Sequence, residues 1–383
     1  MAATIHDVQS IEMGRTLFVA VELAAKRWHL AIASGPGDAP RECDIAPGDA
    51  VAWEREVARA KARFGLTPDA PVVSCYEAGR DGFWVARWLA RAGVRNFVVD
   101  SSSIEVPRRG RHPKTDPVDS RSLLRLLMRY AAGERRAWRV VTVPTVETED
   151  RRQLHRAQET LKHDRTRIRN RIGSLLATQG IRLSRTRRPA DLRQLRAWDG
   201  AQLPPGLQRR LQREIVHLTL VTQQIRSLEA EQRAAVRDQR DEVVKRVAQL
   251  QQLRGIALPS AWVFVMEAFS WRRFRNGREI GALSGLAPTP YGSGTSRREQ
   301  GIGKTGNRRW RTMAVEIAWG WLRYQRDSDL SRWYLKRFAD AGPRARRIGV
   351  VALARKLLIA LWRYLETGVP PSGARLKKLA TTA

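Results

Sequence analysis

Cysteine is almost absent from this chain, since only Cys43 and Cys75 occur among 383 residues. The two thiols do not stand in the close pairs that hold structural zinc, and two are too few for a disulfide framework. We therefore expect free thiols in a reducing cytosol and no zinc site.

Long apolar runs are also missing. No stretch of 18 apolar residues occurs, and residues 1–15 lack the apolar centre of a signal peptide. Neither end carries a lipidation signal. These absences predict a cytoplasmic protein with no membrane partner.

Acidic residues are few relative to basic ones. The chain has 38 Asp and Glu against 70 Lys and Arg, which gives a formal net charge of +32. Such a charge exceeds what solubility requires and is opposite in sign to a phosphate backbone. Nucleic acid is therefore the expected partner, although charge alone does not distinguish DNA from RNA.

The first 145 residues alternate strand and helix signals. Two apolar stretches, LFVAVEL and WHLAIA, predict a hairpin of two strands. Further strand signals at 71–78 and 96–100 flank a helical segment, and another helix starts near Asp116. This order predicts an α/β domain over residues 1–145.

A seven-residue repeat of apolar side chains runs through the next region, residues 146–252. The first series is Leu154, Leu161, Ile168 and Leu175, and the second is Leu211, Leu218 and Ile225, then, after a step of eleven residues, Val236, Val243 and Leu250. Pro204, Pro205 and Gly206 separate the two series. This spacing predicts two long helices that form a helical hairpin or a coiled coil, through which copies of the chain would associate.

The remaining residues predict a mainly α-helical C-terminal domain over 253–368. An apolar helix at 261–270 precedes a loop rich in Gly and Arg at 283–310, and two amphipathic helices follow. Residues 369–383 are expected to form a disordered tail.

Four carboxylates in this basic chain are candidates for a metal-binding catalytic site. Glu22 lies in the first strand signal and Glu77 ends the third, while Asp116 and Asp119 are three residues apart at a helix start and share one face. Oxygen ligands of this kind suit Mg²⁺ or Mn²⁺, which activate an attacking oxygen and stabilise a leaving one in phosphoryl transfer. The alternative is structural: a solvated strand end and an acidic helix cap.

Ser293 is a candidate nucleophile because it lies between Gly292 and Gly294 in an exposed segment. No histidine follows position 217 and no G-x-S-x-G occurs, so a hydrolase triad is not predicted. Neighbouring Arg and Lys residues instead favour a phosphate as the electrophile. A serine between glycines is also typical of an ordinary turn.

The stretch GIGKT resembles part of a phosphate-binding loop. The position five before Gly303 is Arg298 rather than Gly, and no strand is predicted to lead into the motif. We therefore expect no nucleotide cofactor.

Four segments together resemble the DEDD insertion-sequence transposases of the IS110 family, which are RNA-guided recombinases. They are FVAVELAAKRWHLAIA (18–33), YEAGRDGFWVARWLARAG (76–93), KTDPVDSRSLLRLL (114–127) and ALSGLAPTPYGSGTSRREQGIGKTGNRRWR (282–311). They occur in the family's order and span most of the chain. The KTDxxD pair and the run from PxPYxSG to GIxKxGNxxxR carry the resemblance most specifically.

The resemblance implies a RuvC-like (RNase H-like) N-terminal domain and a C-terminal transposase domain with a catalytic serine. Glu77, Asp116 and Asp119 match the second to fourth metal ligands, and Ser293 matches the serine that becomes linked to DNA. It also implies Mg²⁺, double-stranded DNA at the element ends and target, a structured guide RNA, a tetramer and a bacterial, nucleoid-associated location. Base pairing would then read the sequence while basic side chains hold the backbones.

One position departs from the family pattern. Glu22 stands where the family has Asp, and no Asp occurs between Asp7 and Asp38 to replace it. Glu is longer by one methylene, about 1.5 Å of reach, and Mg²⁺ tolerates poor octahedral geometry badly. The sequence leaves open whether the strand adjusts, the enzyme is slow or inactive, or the substitution traps a complex.

Basic residues around the two motifs are candidate contacts to nucleic acid. They are Lys114, Arg297, Arg298, Lys304, Asn307, Arg308 and Arg309, together with Trp310 as a base-stacking candidate. Arginine runs at 151–152, 165–171 and 185–188 are further candidates for RNA and phosphate contacts, or a solvated helix face.

Two other functions fit parts of this pattern. A RuvC-like nuclease or junction resolvase needs the acids but not Ser293. A basic scaffold without catalytic activity needs neither, and binds nucleic acid with a steep salt dependence.

Overall fold

The protein is represented by a computed structural model. It describes residues 12, 14–79, 82–104, 116–182, 194–238, 240–293, 296–304 and 306–377, except for the side chains of residues 102, 116–119 and 290–300. Lys114 therefore lies outside the described residues. The chain divides into two compact units, Met1–Pro144 and Thr145–Ala383, and each is described by itself.

The first unit is built on a mixed five-stranded sheet with the order β3-β2-β1-β4-β5. The strands are β1 (Leu17–Leu23), β2 (Trp28–Ala33), β3 (Arg41–Ile45), β4 (Val72–Glu77) and β5 (Arg95–Val99), and the helices are α1 (Ala50–Arg63), α2 (Trp84–Arg91) and α3 (Asp116–Ala131). The β1–β2 and β2–β3 pairs are antiparallel, whereas β4 is parallel to both β1 and β5. The predicted α/β class of this region is confirmed.

Apolar side chains cover both faces of this sheet. Side chains of β1 alternate between a core that contains Trp53 of α1 and Leu89 of α2 and a core that contains Leu124 and Leu127 of α3. A strand buried on both faces reads as a continuous apolar run, which explains the LFVAVEL sequence. Neither β3 nor α1 was predicted from the sequence; the mixed stretch RECDI of β3 lacks a clear alternation.

The second unit is mainly helical. Its helices are α4 (Val146–Ala177), α5 (Pro205–Ala235), α6 (Glu242–Gln251), α7 (Leu258–Phe264), a π-helix (Val265–Phe269), α8 (Gly277–Ser284), α9 (Arg308–Tyr324), α10 (Asp329–Phe338) and α11 (Pro343–Thr367). Strands β6 (Pro288–Ser293) and β7 (Ser296–Ile302) form an antiparallel hairpin. This hairpin replaces much of the loop expected at 283–310.

Helices α4 and α5 pack as an antiparallel pair. Arg171 is 2.9 Å from Glu214, and Lys162 is 3.6 Å from Glu229, so later residues of α5 face earlier residues of α4. Leucine and isoleucine side chains from both helices fill the contact, among them Ile168. The helical hairpin that the seven-residue repeat predicted is present.

The repeat nevertheless extends beyond the hairpin. Leu154 packs in the core of the C-terminal helices, and so do Val243 and Leu250 of the separate helix α6. A turn after Ala235 breaks the second series, and Asp241 restarts the helix by accepting a hydrogen bond from the Val243 amide at 2.8 Å. The prediction that the second long helix continues through Leu250 is therefore wrong.

Part of the expected tail is ordered. The Lys377 amide donates to Gln252 O at 2.7 Å, and the Arg254 amide donates to Arg375 O at 3.1 Å. A bridge between Leu253 and Leu376 lies beside these bonds. The prediction of disorder from residue 369 onward is wrong for 369–377, because backbone hydrogen bonds fix this segment, and residues 378–383 lie outside the description.

None of the described helices is long and apolar enough to cross a membrane.

Candidate active site

The strand register of the first unit brings Glu22 and Glu77 to adjacent strands. In the parallel β1–β4 pair, Val21 lies opposite Tyr76, so Glu22 and Glu77 follow as the next two residues. Because side chains alternate along a strand, both belong to the face that carries Phe18 and Cys75. Glu22 is half-buried and Glu77 is exposed.

Helix α3, which begins at Asp116, packs on this same face. It crosses from β3, where Arg121 pairs with Glu42, to β5, where the Tyr130 ring lies 5.2 Å from the Phe97 ring. The backbone of Asp116 and Asp119 forms the first turn of α3. Their side chains are not described, so the predicted meeting of four carboxylates stays a prediction.

The oxygen donors on this face of the sheet are of the chemical type that binds a hard cation. Glu22 and Glu77 supply carboxylate oxygens from neighbouring strands, and oxygen is the donor that Mg²⁺ prefers. Within the described part of the chain, no group of three or more His, Cys, Asp or Glu side chains is arranged to hold a metal. Asp116 and Asp119 are not included in this statement, because only their backbone is described.

His29 is a neighbour of this site that the sequence analysis did not identify. It lies opposite Glu22 in the β1–β2 register, and its Nδ1 is 2.6 Å from Asp44 Oδ1 on β3. Its Nε2 lies 3.7 Å from Glu42 Oε2. Glu22, His29 and Asp44 thus form one polar row across three strands. The sequence did contain a signal for His29, because it is a polar residue within the apolar stretch WHLAIA.

Ser293 is the last residue of β6 and lies at the turn end of the β6–β7 hairpin. Its register partner on β7 is Ser296, and the preceding pair is Gly292 with Arg297. Arg298 pairs with Tyr291 one step further from the turn. The backbone register therefore sets Ser293 beside the two arginines that were predicted to surround it, although the side chains are not described.

The base of this hairpin is fastened to the end of α8. The Gly303 amide donates to Ala287 O at 3.0 Å, the Lys304 amide to Gly285 O at 3.1 Å and the Asn307 amide to Leu283 O at 2.8 Å. A Cβ at Gly306, which has a φ of +85°, would lie 2.2 Å from Leu283 O, so this position requires glycine. The described residues of the GKTGN segment, 303–304 and 306–307, thus form a tight return into α9. It follows strand β7 directly, so the expectation that no strand leads into it is wrong.

A buried carboxylate fixes the end of that return. Glu267 of the π-helix is 1% exposed and accepts hydrogen bonds from His155 Nε2 at 2.8 Å, Arg156 Nε at 2.9 Å and Asn307 Nδ2 at 2.9 Å. Burial alone raises the pKa of Glu267, but the bonds from His155 and Arg156 outweigh it and hold the pKa well below its usual value. Glu267 therefore joins α4 to Asn307, the last residue of the hairpin return.

Two residues predicted to contact nucleic acid, Trp310 and Asn307, have structural roles within the protein. Trp310 is fully buried, with its ring 5.1 Å from that of Phe269 and stacked on Phe274, so the prediction that it stacks on bases is wrong. Asn307 caps α9 by accepting from the Trp310 amide at 3.1 Å while it donates to Glu267. Its side-chain oxygen and one side-chain N–H are therefore used within the protein, and its contact with nucleic acid stays a prediction.

The other predicted contacts near α9 remain accessible. Lys304, Arg308 and Arg309 are exposed, and Arg309 pairs with Glu159 of α4. Lys304 has a φ of 56°, a conformation that side-chain-bearing residues rarely adopt. These three cations lie on the surface next to the hairpin base.

The comparisons with known proteins cover both units. A family model described as Transposase IS116/IS110/IS902 family matches residues 247–334, which include the β6–β7 hairpin. The chain is 37% identical over 382 residues to y4rJ of Sinorhizobium fredii, whose name assigns it to the transposases, and the match covers 96% of each chain.

Shorter matches connect the chain with insertion sequences. It is 26% identical over 249 residues to the transposase for insertion sequence element IS1328 of Yersinia enterocolitica, which covers 65% of this chain and 70% of the relative. It is 27% identical over 237 residues to the transposase for insertion sequence element IS1111A of Coxiella burnetii, which covers 61% and 63%.

These relatives define the class of protein as a DNA transposase. The chain belongs to the IS116/IS110/IS902 transposase family, and the resemblance seen in its sequence is confirmed. A transposase acts on DNA, which agrees with the partner expected from the net charge of +32.

Proposed function

We propose that this transposase is an RNA-guided DNA recombinase that cuts and rejoins strands through a covalent bond between Ser293 and DNA. The observation that supports it is the hairpin register, in which Ser293 ends β6 at the turn and Arg297 and Arg298 follow its register partner Ser296 on β7. A residue at a turn end is open to a partner, and cations on the neighbouring strand can stabilise charge on a phosphate.

The chemical step is a transesterification. The Ser293 oxygen bonds to phosphorus as the bond from phosphorus to one sugar oxygen breaks; the serine proton is lost and the leaving sugar oxygen takes up a proton. The phosphoserine ester keeps the bond energy, so a sugar hydroxyl of a second strand reverses the step without ATP. Arg297 and Arg298 would stabilise the pentacovalent phosphate.

Glu22, Glu77, Asp116 and Asp119 would hold Mg²⁺ or Mn²⁺ at the α3 face of the sheet. Such an ion, when bound, supplies positive charge to phosphate oxygens and lowers the pKa of a coordinated hydroxyl or water. In this proposal the first unit is RuvC-like, and its residues orient the scissile phosphate for Ser293. No ATP or other nucleotide cofactor takes part.

The proposed assembly is a tetramer on two DNA duplexes and a structured guide RNA. The α4–α5 pair would serve as its coiled-coil contact, since antiparallel helices with charged outer faces associate in this way. The acids and the serine belong to different units of the chain. A site shared between protomers is therefore expected, with the chain acting in the bacterial nucleoid.

A denaturant-resistant adduct tests the serine chemistry. The protein is incubated with Mg²⁺, end DNA of its element and flanking RNA, and we expect a covalent protein–DNA species that Ser293→Ala abolishes while DNA binding is retained. Ser296→Ala, the register partner, is the matched control and should still form the adduct. Metal-dependent cleavage that survives in Ser293→Ala would establish the nuclease alternative, and binding without metal-dependent chemistry would establish the scaffold.

A further inference from the structure

An exposed tryptophan lies in the turn between α4 and α5, next to the end of α4. Trp198 is 82% exposed, the largest exposed fraction among the described large apolar side chains. Trp84, which is 42% exposed, lies 5.5 Å from the ring of Trp28. The Trp198 indole is more open and leaves its ring face accessible to a ligand.

The turn that carries Trp198 is rigid. The Gly200 amide donates to Ala197 O at 3.0 Å, the Ala197 amide donates to Ala201 O at 2.9 Å, and Asp199 Oδ1 accepts from the Ala201 amide at 3.0 Å. A bridge between Arg196 and Gln202 closes the two sides of the turn. Trp198 is thus presented by a fixed backbone rather than by a loose loop.

The turn is also fixed against the end of α4. The helix ends with the Ile181 amide donating to Leu176 O and the Gly180 amide to Ala177 O, both at 3.1 Å, as in a Schellman motif. A Cβ at Gly180, whose φ is +76°, would lie 2.8 Å from the Trp198 Cβ. The backbone of α4 therefore touches the base of Trp198 and leaves the ring outward, which preorganises it for a planar ligand.

The positive charge near Trp198 indicates which kind of ligand binds there. Residues 160–220 contain fourteen Lys and Arg against four Asp and Glu, and the described arginines near the turn that are exposed are Arg182, Arg196, Arg209, Arg210 and Arg213. A second copy of the chain would bring the same positive charge to a contact between two such ends. A negatively charged ligand with flat apolar rings fits both features, and nucleic acid has both.

We propose that Trp198 stacks on an unpaired base of a single-stranded nucleic-acid segment, with the neighbouring arginines along its backbone. A duplex hides its base faces, whereas a single strand exposes them to an aromatic ring. The inference rests on the proposed function only in that the chain handles nucleic acid; it requires neither Ser293 nor bound metal.

The test measures binding of the full chain to labelled twelve-nucleotide probes, oligo(U) RNA and oligo(dT) DNA, each with and without central abasic sites. Trp198→Ala should weaken binding to base-bearing probes about 5- to 160-fold, from a stacking energy of about 1–3 kcal/mol. Trp198→Phe should restore most of the affinity. The abasic probes should bind wild type and Trp198→Ala equally, and the RNA and DNA arms show which strand is preferred.

Controls separate stacking from charge and from assembly. Arg196→Ala should lower the slope of log affinity against log salt by about 0.7, whereas Trp198→Ala should leave that slope unchanged. Leu220→Ala removes another half-exposed apolar side chain, on α5, and should bind as wild type. Equal affinity of wild type and Trp198→Ala for base-bearing probes would overturn the inference, as would a change of native mass in Trp198→Ala. A wild-type chain that binds no probe and no duplex would instead contradict the proposed function.

Discussion

This basic protein holds carboxylates in two contrasting settings. Glu267 is buried and accepts hydrogen bonds from three side chains of two helices, so its charge is matched inside the protein. Glu77 is exposed at the end of a strand, beside Glu22 on the next strand. The contrast distinguishes a carboxylate that organises the fold from one that is open to a ligand.

The same contrast applies to the aromatic residues. Trp310 has arginines on both sides in sequence but lies in a core, whereas Trp198 lies in an otherwise ordinary turn and is open to solvent. Flanking charge is therefore a poor guide to the exposure of a side chain. Position on the fold decides which residues can meet a partner.

The sharpest test of the contrast is to remove each carboxylate in turn. Glu267→Ala should lower the free energy of unfolding by about 3–5 kcal/mol, because it leaves Arg156 and His155 facing a buried gap. Glu77→Ala should change it by about 0.5 kcal/mol or less, as expected of an exposed side chain, while abolishing the covalent adduct. Urea unfolding and the adduct assay measure the two effects side by side.

The opposite pattern would break the comparison. If Glu77→Ala lowered the free energy of unfolding by several kcal/mol, the carboxylate at the end of β4 would have a structural role. If Glu77→Ala kept full activity in the adduct assay, Glu77 would not belong to the active site. Glu267→Gln serves as the conservative variant, since an amide keeps the volume and can still accept from Arg156.

The sequence is a good guide to local structure where periodicity is strong. Four of the five strands of the first unit and helix α3 coincide with alternating or apolar runs, because both sheet faces are buried. Strand β3 pairs only at one edge, and three of its five residues are half-buried, so its pattern is weak.

The Glu267 cluster could not be read from the sequence. Glu267 stands within the apolar segment FVMEAF, and its partners lie 112 and 111 residues upstream and 40 residues downstream. Only packing brings them together. The burial of Trp310, in contrast, was predictable from the sequence, because Ala314, Ala318 and Trp321 follow it at helical spacing and share its buried face.

Acid should weaken the buried Glu267 cluster. The pKa of Glu267 in the folded chain lies below its ordinary value of 4.5, so the ionised form contributes stability above pH 4.5. That contribution is lost as the pH falls from 4.5 toward the folded pKa, because the unfolded chain takes up the proton first. The stability difference between wild type and Glu267→Gln should be constant above about pH 5.5 and shrink below 4.5, as measured by thermal unfolding across pH.

A difference that stays constant from pH 6 to pH 3 would show that the charge of Glu267 is not what holds the cluster. Glu77→Gln is the matched control, and its stability should track that of wild type throughout this range because the side chain is exposed.

The smallest expected effect concerns the length of the carboxylate side chain at position 22. Glu22→Asp shortens the side chain by one methylene and lets the carboxylate sit closer to the strand, a geometry that suits the strict octahedron of Mg²⁺. We expect the rate of adduct formation to rise about tenfold or less, equivalent to about 1.4 kcal/mol in the barrier, with no change in unfolding. A gain seen with Mg²⁺ but not with Mn²⁺ would locate the effect at the metal, whereas a tenfold loss with both ions would mean that β1 is already adjusted to the longer side chain. His29 would then be the next residue to vary, since it lies opposite Glu22 and is held by Asp44.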